Sequence, residues 1–189
     1  MSRAEVIDEV LEFWFEYDSA GEPQFRDVWF QESADFDKQI RVQFEDHYHW
    51  AAEGHYESLA RKALGCLALV ILLDQVPRNL FRDSAQAFAT DEQALAHTRK
   101  ALLARHDREL DWAQRMFLYM PLMHAENLEM QERSVLLFAT IPIEACTESA
   151  LKHHAIIRDF GRFPHRNEVL DRQSTEEELT FLAEQGRGF

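Results

Sequence analysis

The chain has 189 residues, a formal charge of −14, 46% hydrophobic residues and 29% charged residues. That length suits one domain with a sizeable core, and the apolar content excludes a disordered chain. The acidic balance argues against nucleic acid and anionic membrane as partners, since both reward dense Lys and Arg.

The acidic start, Met1 to Glu12, is neither a signal peptide nor a transit peptide. Ser2 with Glu5 forms a capping box, and Ile7, Val10, Leu11 and Trp14 follow with helical spacing. Tyr17 to Glu32 contains Gly21 and Pro23 and reads as a loop, with Trp29 and Phe30 tucked into the core. Ser33 caps a second helix along Phe36, Ile40, Phe44 and Tyr48, which Gly54 stops. A third helix runs from about Glu57 to Asp74. Its stretch Leu64 to Leu73 is apolar on every side, which makes it central, and Pro77 keeps it from continuing far. That stretch is about half of the ~20 residues a membrane span needs, so no span is expected. Cys66 and Cys146 make no disulfide framework and point to a reducing, cytoplasmic setting.

Thr90 with Gln93 forms a second capping box, opening a helix through Ala94, Leu95, Ala101 and Leu102. Asp111 with Gln114 opens the next, which kinks or breaks at Pro121. Asn127 restarts the helix through Val135, Leu136 and Phe138. A further helix covers Glu148 to Phe160, with Gly161 at its end, and Arg162 to Leu170 reads as a turn and a short helix. Ser174 with Glu177 opens a last helix that ends near Gly186, and the acidic run Glu176 to Glu178 is expected to be solvated. No segment alternates with period two, so the chain is expected to form a single all-α domain, residues 1–189, of packed antiparallel helical hairpins.

Glycine-rich phosphate loops, a Gly-x-Ser-x-Gly elbow, His-Glu-x-x-His and Cys-x-x-Cys are all missing. Chemistry is concentrated instead in three polar segments. In the first, a buried helix delivers Asp74 and Gln75, and the turn after Pro77 presents Arg78 and Asn79. Either Asp74 pairs with an arginine as a structural device, or these groups floor a polar pocket. In the second, the discontinuity after Pro121 presents His124 and Glu126, readable as a helix-end histidine or as an acid/base pair. His-x-Glu alone supplies too few ligands for a metal. The third, Arg162, His165, Arg166 and Asn167, is a cationic cluster. It suits a carboxylate or phosphate, or it pairs with acids of neighbouring helices. The four tryptophans read as core, and His47 and His49 do not share a helix face.

The strings Asp74-Gln75-Val76-Pro77-Arg78-Asn79 and Gly161-Arg162-Phe163-Pro164-His165-Arg166-Asn167 are long and specific. With Phe13-Trp14-Phe15, Ala87 to Asp91, Phe117 to Phe138 and Ser174-Thr175, they resemble a bacterial family known as domain of unknown function 924. The resemblance covers essentially the whole chain. It implies an all-helical fold of the tetratricopeptide-like superfamily, although the chain shows no tetratricopeptide consensus, and it implies no activity. Two departures stand out. Ala125 replaces a serine frequent in the family after the histidine, which removes that serine as a nucleophile. Asp171 replaces a frequent glycine, which puts a tight turn there in question.

Each polar segment lies where a helix ends or breaks, and burying any one alone leaves a charge unpaired. The three are therefore expected to meet around a pocket for a small anionic molecule. Asp74, His124 and Glu126 supply acid/base groups, Gln75, Arg78 and Asn79 the floor, and Arg162, His165, Arg166 and Asn167 an anion clamp. The competing reading is an interaction scaffold whose stacked helices hold a peptide in a groove. The sequence specifies no cofactor and no oligomeric state.

Overall fold

The apolar stretch in mid-sequence becomes the axis of the fold. In the computed structural model, which describes residues 3–185, the helices are α1 (Arg3–Trp14), α2 (Ala34–Ala52), α3 (Ala63–Leu80), α4 (Asp91–Ala104), α5 (Trp112–Met123), α6 (Leu128–Phe138), α7 (Glu144–Phe160) and α8 (Glu176–Gln185). The Ser2–Glu5 capping box and Gly186 lie outside the described residues. Among those residues there is no strand, only an isolated antiparallel bridge between Tyr17 and Pro23 in the loop after α1.

Helix α3 packs against α1, α2, α4 and α5, and Leu67, Ile71, Leu72 and Leu73 are inaccessible to solvent. Its 18 residues are long and apolar enough to cross a membrane, but 83% of them are buried inside the protein. Gly65 lets α3 start close to the short helical segment Glu57–Arg61, because a Cβ there would collide with the Leu59 carbonyl oxygen. The helix passes the expected end near Asp74 but, as expected, does not continue far beyond Pro77. The helix widens into a π turn at Ile71–Gln75 and continues to Leu80. Pro77 has no N–H for the Leu73 carbonyl, and the Thr90 hydroxyl donates to that carbonyl instead, at 2.5 Å. The Val76 N–H reaches back to Ile71. The Thr90 hydroxyl is turned towards Leu73 and accepts no N–H from the first turn of α4, so the expected Thr90–Gln93 box is absent.

Helix α5 opens on the full Asp111–Gln114 capping box and runs through Pro121 to Met123, ending at His124 rather than breaking at the proline. The Asn127 side chain accepts the Met130 N–H and starts α6. From α6, the Gln131 amide donates to the Met123 and Ala125 carbonyls at 2.6 and 2.8 Å, satisfying backbone groups that the end of α5 leaves open. Helix α7 begins at Glu144, earlier than the expected Glu148, and ends at Gly161, whose φ of +71° suits glycine.

The last helix is capped one residue later than expected. Thr175 Oγ1 accepts the Glu178 N–H, and Glu178 accepts the Thr175 N–H at 2.8 Å. Glu178 is consequently buried, not solvated. Two aromatic expectations also need correction: Trp29 is buried, but Phe30 is 54% exposed and Trp50 is 45% exposed. A small separate apolar cluster of Ile156, Ile157 and Phe163, with Phe160 and Phe181 against it, ties α7 to α8.

Candidate functional site

The π turn sets Asp74 at the end of the most buried part of the chain, where its side chain has no solvent exposure. An isolated carboxylate there would cost several kcal/mol. Asp74 is not isolated. Oδ1 lies 2.8 Å from His124 Nδ1 and 3.4 Å from Arg78 Nη1, and Oδ2 accepts the Gln75 amide at 2.6 Å. Burial alone would push the Asp74 pKa up, but Arg78 and then His124 outweigh it and hold the group well below the usual carboxylate range. His124 is held below its ordinary value by burial first and Arg78 next, with Asp74 opposing. The pair is a carboxylate and a neutral imidazole: Nδ1–H donates to Asp74, which leaves Nε2 with a basic lone pair.

Arg78 extends the network to α4. It donates to both Asp91 oxygens at 2.8 and 3.0 Å, and to the Asp74 backbone carbonyl. Asp91 also accepts from Arg166 Nη1 at 3.2 Å. The Arg166 guanidinium is sandwiched between Phe88 and Phe163, its carbon 4.5 and 4.6 Å from the two ring centroids. At 6% exposure, burial and then Arg78 pull its pKa down to about 10, so it keeps its charge at neutral pH. Its Nε has no acceptor among the described residues.

These groups line one side of a cleft of 410 Å³. Its wall carries Arg78, Arg82 and Arg166 together with His124, His153 and His165, while Glu32 and Asp83 are the only carboxylates on it. Behind the wall, Asp74, Asp91 and Asp37 pair with the arginines, so counting charges alone does not decide the sign of the field. His153 Nδ1 donates to the Ser149 carbonyl, which favours the charged ring. Even so, burial first, with the positive charges of Arg166 and Arg78 behind it, brings its pKa down to about 4. His165 falls to about 4 for the same reason, burial and then Arg166. Arg166 thus adds to burial in keeping both rings neutral.

The structure thus brings the three polar segments together, but not in the roles expected of every residue. His124 finds its carboxylate in Asp74, not Glu126. Glu126 accepts the Phe163 N–H at 2.8 Å and a two-pronged contact from Arg172 at 2.6 and 3.0 Å, which makes it a brace between α5 and the segment after α7. Arg162 is bound by Glu178 and the Gln173 carbonyl. Asn167 is buried and donates to Ser174 and Glu178. None of these three lines the cleft, so the expected acid/base role of Glu126 and the clamp roles of Arg162 and Asn167 are corrected to structural ones. Gln75 and Asn79 line an adjoining part of the cleft with Arg78. The turn in question at Asp171 forms despite the missing glycine: Asp171 takes φ +53°, which aspartate tolerates, and the Arg172 N–H closes onto the Asn167 carbonyl at 2.8 Å.

His153, Asp91, Phe88 and Arg82 escaped the sequence reading as site residues. His153 lies in an amphipathic helix beside a second histidine, with no local signal that sets it apart. Phe88 and Asp91 fall in the Ala87–Asp91 string that carried the resemblance, and that string was their one available signal.

Fold and site together define a helical domain built around a buried carboxylate–imidazole pair at the base of an arginine-walled cleft. A model of a bacterial protein family of unknown function, DUF924, matches residues 10–186, and the chain belongs to that family. It is similar to the solved structure of the protein of unknown function ATU0120 from Agrobacterium tumefaciens. The two are 35% identical, with a TM-score of 0.88 over 97% of this chain and 99% of the other. No curated protein matches the chain.

Proposed function

We propose that the cleft binds a small anion, a carboxylate or a phosphate ester, and that the Asp74–His124 pair acts on it as a general base. The observation that carries this reading is the arginine wall: the guanidinium groups of Arg78, Arg82 and Arg166 face one cavity, with the neutral imidazoles of His124, His153 and His165 beside them. An anion entering there finds charge-assisted donors already in position. His124 needs no change of protonation state to accept a proton, because Asp74 orients it and supports the charge that forms. Ala125 supplies no hydroxyl beside it, so the base acts on bound ligand or water.

The peptide-scaffold reading has weaker support. The large exposed apolar residues Val42, Leu103 and Leu136 lie on three different helices rather than along one groove.

The test is a titration with sulfate, phosphate and acetate, followed through the histidine ring signals in NMR. Saturable shifts at His124, His153 and His165, reduced at least tenfold in affinity by Arg82→Ala, are expected. Shifts that never saturate, or that spread evenly over all nine histidines, would remove the proposal.

A further inference from the structure

An apolar cavity of 380 Å³ lies beside the cleft, formed by Met116, Met120, Met123 and Phe138 on one side and Phe25 and Phe30 on the other. The two are joined. An intermediate chamber of 300 Å³ shares Arg78, His124 and His153 with the cationic part, and Phe30, Met120 and Met123 with the apolar part. Met120 marks the seam, since its sulfur accepts the Gln75 amide at 3.1 Å while its side chain lines the apolar side.

We infer that the ligand of this site is an amphipathic anion, with a carboxylate or phosphate head among the arginines and histidines and an aliphatic tail along the methionine face of α5. The inference rests on the anion reading of the cleft and adds the chemical class of the ligand.

Three observations support it. Phe25 and Phe30 stack on each other, with centroids 5.6 Å apart and planes at 21°, yet they remain 44% and 54% exposed. A contiguous apolar wall facing water marks a binding surface more often than a solvated face. That wall is not a slack loop. Arg26 donates to the Phe13 and Trp14 carbonyls, and Trp29 Nε1 donates to Trp14 at 2.8 Å, so the segment carrying both rings is pinned to the end of α1. The opposite wall is built from methionines, which adapt to chains of varied shape. A cavity of ~150 Å³ takes up benzene, so this one has room for a chain several carbons longer. Charge complementarity then places the anionic end: the intermediate chamber that borders the apolar cavity carries Arg78 and Arg82.

The experiment compares octyl phosphate with inorganic phosphate, octanoate with acetate, and octanol as the neutral control, by calorimetry below micelle-forming concentrations. Each buried methylene is worth about a fourfold gain in affinity. With about three to four of its methylenes buried, octyl phosphate or octanoate should therefore bind roughly 100-fold more tightly than its head alone, and octanol more weakly than either. Whichever pair shows the gain identifies the head as phosphate or carboxylate, and both results support the inference. Ala145→Phe provides a second reading, because Ala145 is exposed at the edge of the apolar cavity and does not line the cationic part. It should weaken octyl phosphate at least tenfold and leave phosphate unchanged. If phosphate binds and the octyl chain adds nothing, the inference fails while the anion site stands. If octanol binds as tightly as the charged chains, the head assignment is wrong and the inference fails. If no anion binds at all, both readings fall together.

Discussion

At the scale of single residues, the site is a set of charges that share partners: Arg78 lies one helical turn from Asp74, and His124, Asp91 and Arg166 come from far away in sequence. Asp74 holds His124 and Arg78 at once. Asp74→Ala is expected to cost about 3 kcal/mol in a urea titration, because truncating one member of a buried pair leaves the others poorly compensated. A loss under about 1 kcal/mol would show that Asp91 alone satisfies Arg78. The two inner histidines give a pH signature. His153 and His165 are neutral in the fold and ionise there only near pH 4, against about 6.5 in an unfolded chain. Their contribution to stability is full above pH 6.5 and is lost as the pH falls towards 4, because the unfolded chain takes up protons first. Chemical denaturation at pH 7, 6 and 5 should show a falling midpoint, and His153→Gln should flatten it. Sulfate does not titrate in this range. A bound anion raises both histidine pKa values, so sulfate affinity should increase from pH 7 to pH 5.

At the scale of elements, helix ends and close approaches decide the geometry. Gly65→Ala improves intrinsic helix propensity by about 1 kcal/mol, yet it should destabilise the protein, because the new Cβ meets the Leu59 backbone carbonyl. A higher melting temperature for this variant would contradict the packing described. Thr90→Val should cost about 1–3 kcal/mol, since it removes the only donor described for the Leu73 carbonyl that Pro77 leaves open. Urea denaturation measures this directly. These two elements also mark how far the sequence could be read. Asp111–Gln114, Asn127 and Gly161 were legible because a cap is completed within a few residues of itself. Thr90 and Ser174 misled for the opposite reason. Thr90 found its acceptor on α3, and Ser174 found its donor in Asn167, so the local pattern was present and the side chain was used elsewhere.

At the scale of the whole molecule, one apolar helix carries the core, and the polar segments gather at its far end. Leu72→Ala should cost ~2–5 kcal/mol, as full enclosure demands, and equilibrium unfolding in urea would register it. The convergence of the three polar segments was legible because none could be buried alone, even though the first lies within α3 rather than at an end near Asp74. Which carboxylate served which cation was not legible. Glu126 lies closest in sequence to His124, yet packing delivers it to Arg172, while Asp74 crosses from α3 to reach the histidine. Proximity along the chain ranks partners only when both sit on one element, as Asp74 and Arg78 do on α3, whereas the pairs of His124 and Glu126 bridge two.

The π turn in α3 makes residue number as binding a requirement as residue type. Side chains advance by about 100° per residue around a helix, so a turn wider than the α spacing re-phases everything that follows. Ahead of the turn the hydrophobic pattern does not reveal the change, because the helix is apolar all round and its rotation is fixed by the approach of Gly65 to the Leu59 carbonyl. Beyond it, Arg78 must look towards Asp91 and Asn79 towards the cleft. A relative shortened by one residue between Ile71 and Gln75 would keep its hydrophobicity and every functional side chain. It would form a more regular helix and swing Arg78 more than a quarter-turn away from its partner. Across this family, the spacing from Gly65 to Arg78 is therefore the quantity to compare first, ahead of the identity of the residues it separates.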